Sequence, residues 1–327
     1  MTYLSRADGF ANYDQATAVP ATYTMPDDQK ATFINNSNYN PEDYNNADDE
    51  MPATGADNGL SLADLRGVAY DDEQWDQLLD QMTVADMDSL IALGGYQTNS
   101  VKSIDKVQTM DCDGPASINN NFTGTGSVGF PSVVMIANTW NTDIATAFGE
   151  SIGKMADEMG VSGWYAPAMN IHRTAFAGRN FEYYSEDGLL SGKMAANAIL
   201  GAKEYGVYAY MKHFALNDQE SNRLSMLCTW SNEQAIRNGT DCMLVAYDTE
   251  TNHVKDQTRA TGVQAMRQAC KNILYTVVNS RAYDAENLET GLMTWQIAAI
   301  VIDVVAGVIL IALEAVAIKN YIKRRKA

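Results

Sequence analysis

The 327-residue chain has few of the side chains that most often bind metals or nucleic acids. It has three histidines and four cysteines, and no metal-ligand spacing is present among Cys112, Cys228, Cys242 and Cys270. We therefore expect the cysteines to be buried as small apolar residues, and we predict neither a metal nor a cofactor. The chain has only 23 lysines and arginines but 41 aspartates and glutamates, which gives a formal net charge of −18. Such an acidic chain is a poor partner for nucleic acid.

Residues 1–60 have few aliphatic side chains and are rich in Asn, Asp, Tyr, Ala and Pro. Segments 35–40 (NNSNYN) and 45–50 (NNADDE) cannot supply a hydrophobic core. This region is therefore predicted to be either a solvated linker or an extended surface arm.

From Asp72 onward the apolar pattern predicts alternating helices and strands. One helical face carries Trp75, Leu78, Leu79 and Met82, and Thr83 is expected to cap a second helix with Asp86 as its capping-box partner. Buried parallel strands are predicted at 107–110, 132–137, 163–166, 207–211 and 242–246. Further helices are predicted at 142–159, 188–205 and 261–278. This alternation predicts an α/β fold, either a barrel or an open sheet.

Two polar segments, each at the end of an apolar run, carry the candidate binding residues. They are residues 178–187 (GRNFEYYSED) and 212–220 (KHFALNDQE). In parallel α/β proteins, chemistry is placed at strand ends. Arg179, Lys212 and His213 offer a dense set of donors that would suit a neutral polyhydroxylated ligand. A surface ion-pair network is the alternative interpretation.

Four motifs point to a known family: residues 111–115 (DCDGP), 160–173 (GVSGWYAPAMNIHR), 178–182 (GRNFE) and 212–215 (KHFA). Together they resemble the catalytic barrel domain of glycoside hydrolase family 3, over roughly residues 78–283. Members are mostly β-glucosidases and related exo-acting β-glycosidases. The resemblance implies a (β/α)8 TIM-barrel-like domain, placed at residues 61–285, and a β-linked glucoside or oligosaccharide as substrate.

The resemblance also implies roles for individual residues. Asp113 would accept hydrogen bonds from two adjacent sugar hydroxyls, and the donors to other hydroxyls would be Arg179, Lys212 and His213. The motif that precedes Arg179 is expected to shape the loop through Asn170, His172 and Arg173. Two acidic residues, Glu182 and Asp187, are expected to orient Arg179 rather than to touch sugar.

The predicted barrel is incomplete, because five or six strands are found where eight are needed. Residues 229–237 resemble the family's segment just after Lys-His, whereas 234–243 resemble a much later one, and the two overlap on QAIR. The strand bearing the family's nucleophile normally lies between them, and no strand of this chain ends in Ser/Thr-Asp-Trp/Tyr. The acid/base Glu is implied to come from a second domain that is not in this chain.

We therefore expect an internal deletion and impaired or absent hydrolysis, since retaining glycosidases need two carboxyl groups. A non-catalytic carbohydrate-binding remnant on a membrane anchor is the alternative function. An incompletely folding remnant is the third interpretation.

Residues 294–318 are nearly all aliphatic and predict one transmembrane helix, followed by a basic tail at 319–327. The basic tail predicts a cytoplasmic C-terminus and a single-pass protein of the cell membrane, with the barrel on the extracytoplasmic side. Asp303 is expected to face a second transmembrane helix or another copy of the chain.

No signal peptide precedes the barrel, and residues 3–8 resemble the tail of the family's other domain in permuted members. The chain is thus expected to start inside a longer protein.

Overall fold

A computed structural model describes residues 7–19, 26–31, 39–172, 177–213, 232–244 and 252–284, with positions 22, 24, 175, 217, 287 and scattered positions in 301–325. The helices are α1 (Tyr13–Thr17), α2 (Asp27–Lys30), α3 (Gln74–Asp80), α4 (Val84–Ala92), α5 (Val133–Asn138), α6 (Thr142–Glu158), α7 (Gly188–Lys203), α8 (Asn232–Arg237) and α9 (Ala260–Val278). The strands are β1 (Asp111–Cys112), β2 (Asn119–Asn120), β3 (Thr125–Gly126), β4 (Gly163–Trp164) and β5 (Tyr208–Ala209).

Three strands form a parallel sheet in the order β1-β4-β5. In its register Asp111 is paired with Gly163, and Gly163 is paired with Tyr208. The long helices α6 and α7 occur between these strands in the chain, which is the alternation of an α/β fold. The α/β prediction is confirmed. Within the described residues this sheet has three strands, so a closed barrel stays a prediction.

The three long predicted helices are confirmed as α6, α7 and α9. Helices α6 and α7 approach closely because glycines face the partner backbone. A Cβ at Gly149 would lie 2.8 Å from the carbonyl carbon of Ala198, and a Cβ at Gly201 would lie 2.6 Å from the Glu150 nitrogen. These helices cover the second of two cores, which surrounds Trp164.

The first core joins α3 and α4 to α9. All four residues of the predicted helical face, from Trp75 to Met82, are buried. The predicted capping box is also present, with the Asp86 nitrogen donating to Thr83 and the Asp86 carboxylate accepting from the Thr83 nitrogen. Cys112 and Cys270 are free and buried, as expected, whereas the free Cys242 is half-buried and Cys228 lies outside the described residues.

Three strand predictions need correction. Residues 132–137 form α5 rather than a strand, because Val133, Ile136 and Ala137 face the core at helical spacing. The strand predicted at 107–110 begins instead at Asp111. Residues 242–244 form no strand in the described part of the chain, and 245–246 lie outside it. Short apolar runs do not by themselves distinguish a strand from a helix segment.

Residues 39–50 lie along the surface of α8 and α9. The Asn46 nitrogen donates to Thr261 Oγ1 at 2.9 Å, and Gln264 donates to the Glu50 carbonyl at 2.7 Å. Arg237 of α8 donates to the Tyr44 carbonyl at 2.6 Å.

Among the described residues, none of the helices combines the length and the apolar composition of a membrane span. Most of the predicted span at 294–318, including Asp303, lies outside the described residues.

Candidate functional site

Asp113 and Lys212 meet at the carboxyl edge of the parallel sheet. Asp113 directly follows β1, and Lys212 follows β5, the strand on the other side of β4. Lys212 Nζ lies 2.5 Å from Asp113 Oδ1. That oxygen also accepts from the Gly114 nitrogen at 2.8 Å, while Oδ2 accepts no hydrogen bond from the described residues. Oδ2 of Asp113 is therefore open to another donor.

Arg179 and His213 form the second contact of the site. Arg179 Nη2 lies 2.9 Å from His213 Nε2. A guanidinium can only donate, so Nε2 accepts and the imidazole is neutral with its proton on Nδ1. That Nδ1 lies 3.1 Å from the Tyr183 hydroxyl, to which it donates. The ring of His213 is thus fixed on both sides by protein groups.

Two supporting residues, Glu182 and Asn170, hold Arg179 and His213 in place. Glu182, which is 4% exposed, pairs with Arg179 Nε, the contact expected of a residue that orients Arg179. Asn170 binds the backbone of His213 in both directions, accepting from its nitrogen at 2.6 Å and donating to its carbonyl at 3.1 Å. This double contact sets the path of the chain directly after Lys212.

Of the remaining predicted residues, one has a different role, one lies beside Tyr183, and one lies outside the described residues. Asp187 caps α7 by accepting from the nitrogens of Leu189 and Leu190, so the prediction that it orients Arg179 is wrong. His172 stands near Tyr183, with ring centroids 6.2 Å apart, and its buried Nδ1 has no partner among the described residues. Arg173 is the residue that is not described.

Sequence reasoning missed a buried polar layer beneath Asp113 and Lys212. Asp111 is fully buried and accepts from the hydroxyls of Tyr208 at 2.7 Å, Tyr210 at 2.8 Å and Thr109 at 3.2 Å. Burial raises the pKa of Asp111 and holds the pKa of Tyr208 and Tyr210 well above the usual value. The available signal was the two-residue period of Thr109-x-Asp111-x-Asp113 and Tyr208-x-Tyr210-x-Lys212, which puts each set on one face of its strand.

Tyr183 and Asn217 were also missed, although both lie inside the quoted segments. Asn217 donates to the Tyr183 hydroxyl at 2.7 Å and so joins the contacts around His213. Nothing in their residue types distinguished them from neighbouring polar residues.

The Asp113–Lys212 pair thus lies at the carboxyl edge of a parallel α/β sheet, the position where such folds commonly place binding sites. Residues 100–268 match the glycosyl hydrolase family 3 N terminal domain, and the chain belongs to this family. The beta-glucosidase A of Butyrivibrio fibrisolvens is 36% identical over 201 residues, which cover 61% of this chain and 22% of that protein.

A second curated relative and one solved structure are also similar to this chain. The thermostable beta-glucosidase B of Acetivibrio thermocellus is 34% identical over 163 residues, covering 46% of this chain and 21% of that protein. The chain thus spans about a fifth of the length of these curated relatives. A solved beta-glucosidase from Kluyveromyces marxianus superposes with a TM-score of 0.53 and 19% identity, over 67% of this chain and 35% of that chain, and supports the fold alone.

Proposed function

We propose that the chain holds a β-linked glucoside or oligosaccharide at its strand-end site and is impaired in hydrolysing it. Asp113 accepts hydrogen bonds from sugar hydroxyls, and Arg179 and Lys212 donate to others. Both ring nitrogens of His213 are engaged by protein groups, so His213 holds Arg179 in place instead of donating to the sugar. The β-glucosidase relatives support glucose as the recognised unit.

The carboxylate of Asp113 is the observation that carries this proposal. Its side chain is 36% exposed, and one oxygen is held by Lys212 and Gly114 while the other is open to donors within the described structure. A carboxylate fixed in this way accepts from a hydroxyl without first reorganising. The burial of Lys212, whose side chain is only 9% exposed, favours a binding site over a surface ion pair.

The positions of the remaining carboxylates support impaired hydrolysis. A retaining mechanism needs a nucleophile and an acid/base about 5–5.5 Å apart. Asp241, one candidate replacement, is turned toward α9, where it accepts from Asn272 at 2.8 Å, and burial raises its pKa. The other two, Asp218 and Glu220, lie outside the described residues. The overlap at residues 234–237 supports a deletion of the family's nucleophile strand.

The test is to compare binding and turnover in the same preparation. We expect glucose binding by titration calorimetry and no hydrolysis of an aryl β-glucoside. Asp113→Asn should weaken binding at least tenfold, because a hydrogen bond to a charged group contributes about 1.5–3 kcal/mol. Asp187→Asn is the matched control, since asparagine also caps a helix well and the change removes a nearby carboxylate without touching the site.

Turnover would contradict the impaired-enzyme part of the proposal, and its loss in Asp241→Ala or Asp218→Ala would identify a replacement nucleophile. Equal binding by wild type and Asp113→Asn would contradict the assigned sugar site.

We also propose that residues 294–318 anchor the domain in the cell membrane, with the sugar site on the extracytoplasmic side. The largely aliphatic composition and the basic tail at 319–327 support this arrangement. Apolar side chains at described helical positions within 301–313 are exposed, as a lipid-facing helix requires.

A further inference from the structure

The Asp113–Lys212 pair lies above a second contact between the same two strands. Asp111 stands two residues before Asp113, and Tyr210 stands two residues before Lys212. Because side chains alternate along a strand, each of these two sets shares a face. The Tyr210 hydroxyl donates to Asp111 Oδ2 at 2.8 Å, and we name this contact the lower bridge.

The Asp111 carboxyl and the Tyr208 ring occupy space that only glycine leaves open. Gly163 on β4 is in register with both Asp111 and Tyr208. A Cβ at Gly163 would lie 2.5 Å from Asp111 Oδ1 and would overlap the ring of Tyr208. The carboxyl of Asp111 therefore extends across the central strand, and the lower bridge depends on this local sequence.

Packing alone does not account for Asp111. Its side chain is completely buried, and taking a charged group out of water costs several kcal/mol unless hydrogen bonds compensate. Three hydroxyl groups provide that compensation, and two of them belong to tyrosines on the β5 side of the sheet. An apolar side chain would fill the space without this cost, whereas a fully satisfied polar network fixes one geometry.

We propose that Asp111 is a positioning residue for the sugar-binding pair. It fixes the hydroxyls of Tyr208 and Tyr210, and these fix the chain from which Lys212 reaches Asp113. The role of the pair in sugar binding rests on the proposed function, but the pairing itself is measurable without sugar.

The experiment replaces Asp111 by asparagine in the full chain. Asparagine is nearly isosteric, but its amide nitrogen cannot accept from a tyrosine hydroxyl. The first readout is the rate of reductive methylation of Lys212, followed by peptide mass spectrometry, because an ammonium paired with Asp113 is shielded. The second readout is glucose affinity by titration calorimetry.

Asp256→Asn is the matched control. Asp256 is also almost completely buried, and it pairs with Arg237 at 3.1 Å beside α8, outside the sugar site. We expect Asp111→Asn to raise the Lys212 methylation rate and to weaken glucose binding, each at least fivefold. Asp256→Asn should leave both within twofold, even where thermal stability falls.

A Lys212 methylation rate within twofold of wild type in Asp111→Asn overturns the proposal. An equal rise in Asp256→Asn also overturns it, since the effect would then be general loosening. If Asp111→Asn does not fold, Tyr210→Phe removes the lower bridge through one hydroxyl and carries the same expectation. Absence of glucose binding by the wild type would overturn the proposed function only, while the methylation rates would still decide the positioning role.

Discussion

At the scale of single residues, the ammonium of Lys106 is buried among hydrogen-bond acceptors. It is 3% exposed, and its Nζ lies 2.7 Å from the Asn99 carbonyl, 2.8 Å from Thr98 Oγ1 and 2.9 Å from the Val107 carbonyl. Burial lowers the pKa of Lys106 to about 7, and the charge of Asp111 opposes this change.

The stability of the fold should therefore depend on pH through Lys106. In the unfolded chain its pKa is about 10.4, so between pH 7 and 10 the unfolded state binds more protons than the folded state. The free energy of unfolding then rises with pH across this window. We expect the wild type to gain roughly 2–3 kcal/mol relative to Lys106→Met between pH 7 and 9.5, because each tenfold difference in proton affinity corresponds to about 1.36 kcal/mol.

Denaturant unfolding of both proteins at several pH values measures this difference. A constant difference would mean that the surrounding carbonyl oxygens keep the ammonium charged throughout. Lys106 would then act as a permanent cation beside Asp111.

The residues of the site were predictable where a motif carried them. Asp113, Arg179, Lys212 and His213 were all named from the sequence, and the structure brings them into two contacts. Asp111, Tyr208 and Tyr210 were not, because a buried carboxyl between tyrosines becomes visible only when two distant strands are placed on either side of Gly163.

At the scale of elements, the packing of α6 against α7 depends on which glycine faces the partner helix. Gly201 and Gly192 both lie in α7, but a Cβ at Gly201 would press on the backbone of α6, whereas a Cβ at Gly192 would meet nothing within 4 Å. We expect Gly201→Ala to destabilise the fold by about 1–3 kcal/mol or more through overpacking. Gly192→Ala should stabilise it by about 0.5–1 kcal/mol, since alanine is the better helix former.

Chemical denaturation of the two variants checks this pair. The two expected changes in the free energy of unfolding have opposite signs within one helix. The comparison therefore separates the effect of contact with α6 from the effect of helix propensity. A neutral Gly201→Ala would show that α6 and α7 move apart at little cost.

The long helices were predictable because each has an apolar face repeated over at least four turns. The strands were harder, since β1, β4 and β5 have two residues each and their neighbours carry polar side chains. Helix α5 was mistaken for a strand because six residues are too few to establish a period, although the spacing of Val133, Ile136 and Ala137 fits a helix.

At the scale of the whole molecule, the proposed anchor makes a separate prediction. The full chain should remain with membranes after alkaline extraction, and a chain lacking residues 294–327 should be released. Asp303→Leu should reduce self-association or the recovery of a partner helix in detergent, because a carboxylate within a bilayer normally faces protein. Release of the full chain would contradict the anchor, and unchanged association in Asp303→Leu would contradict the proposed pairing.

The contact of α3 and α4 with α9 has a consequence for synthesis. The buried face of α4 (Val84–Ala92) is completed by α9 (Ala260–Val278), roughly 170 residues later. Arg66 is likewise held by the carbonyls of Val278 and Ser280. At about 5–20 residues per second, a ribosome takes on the order of ten to thirty seconds to supply the missing helix. During that interval Trp75 and its apolar neighbours lack the cover that α9 supplies, so the nascent chain is a natural client for chaperones.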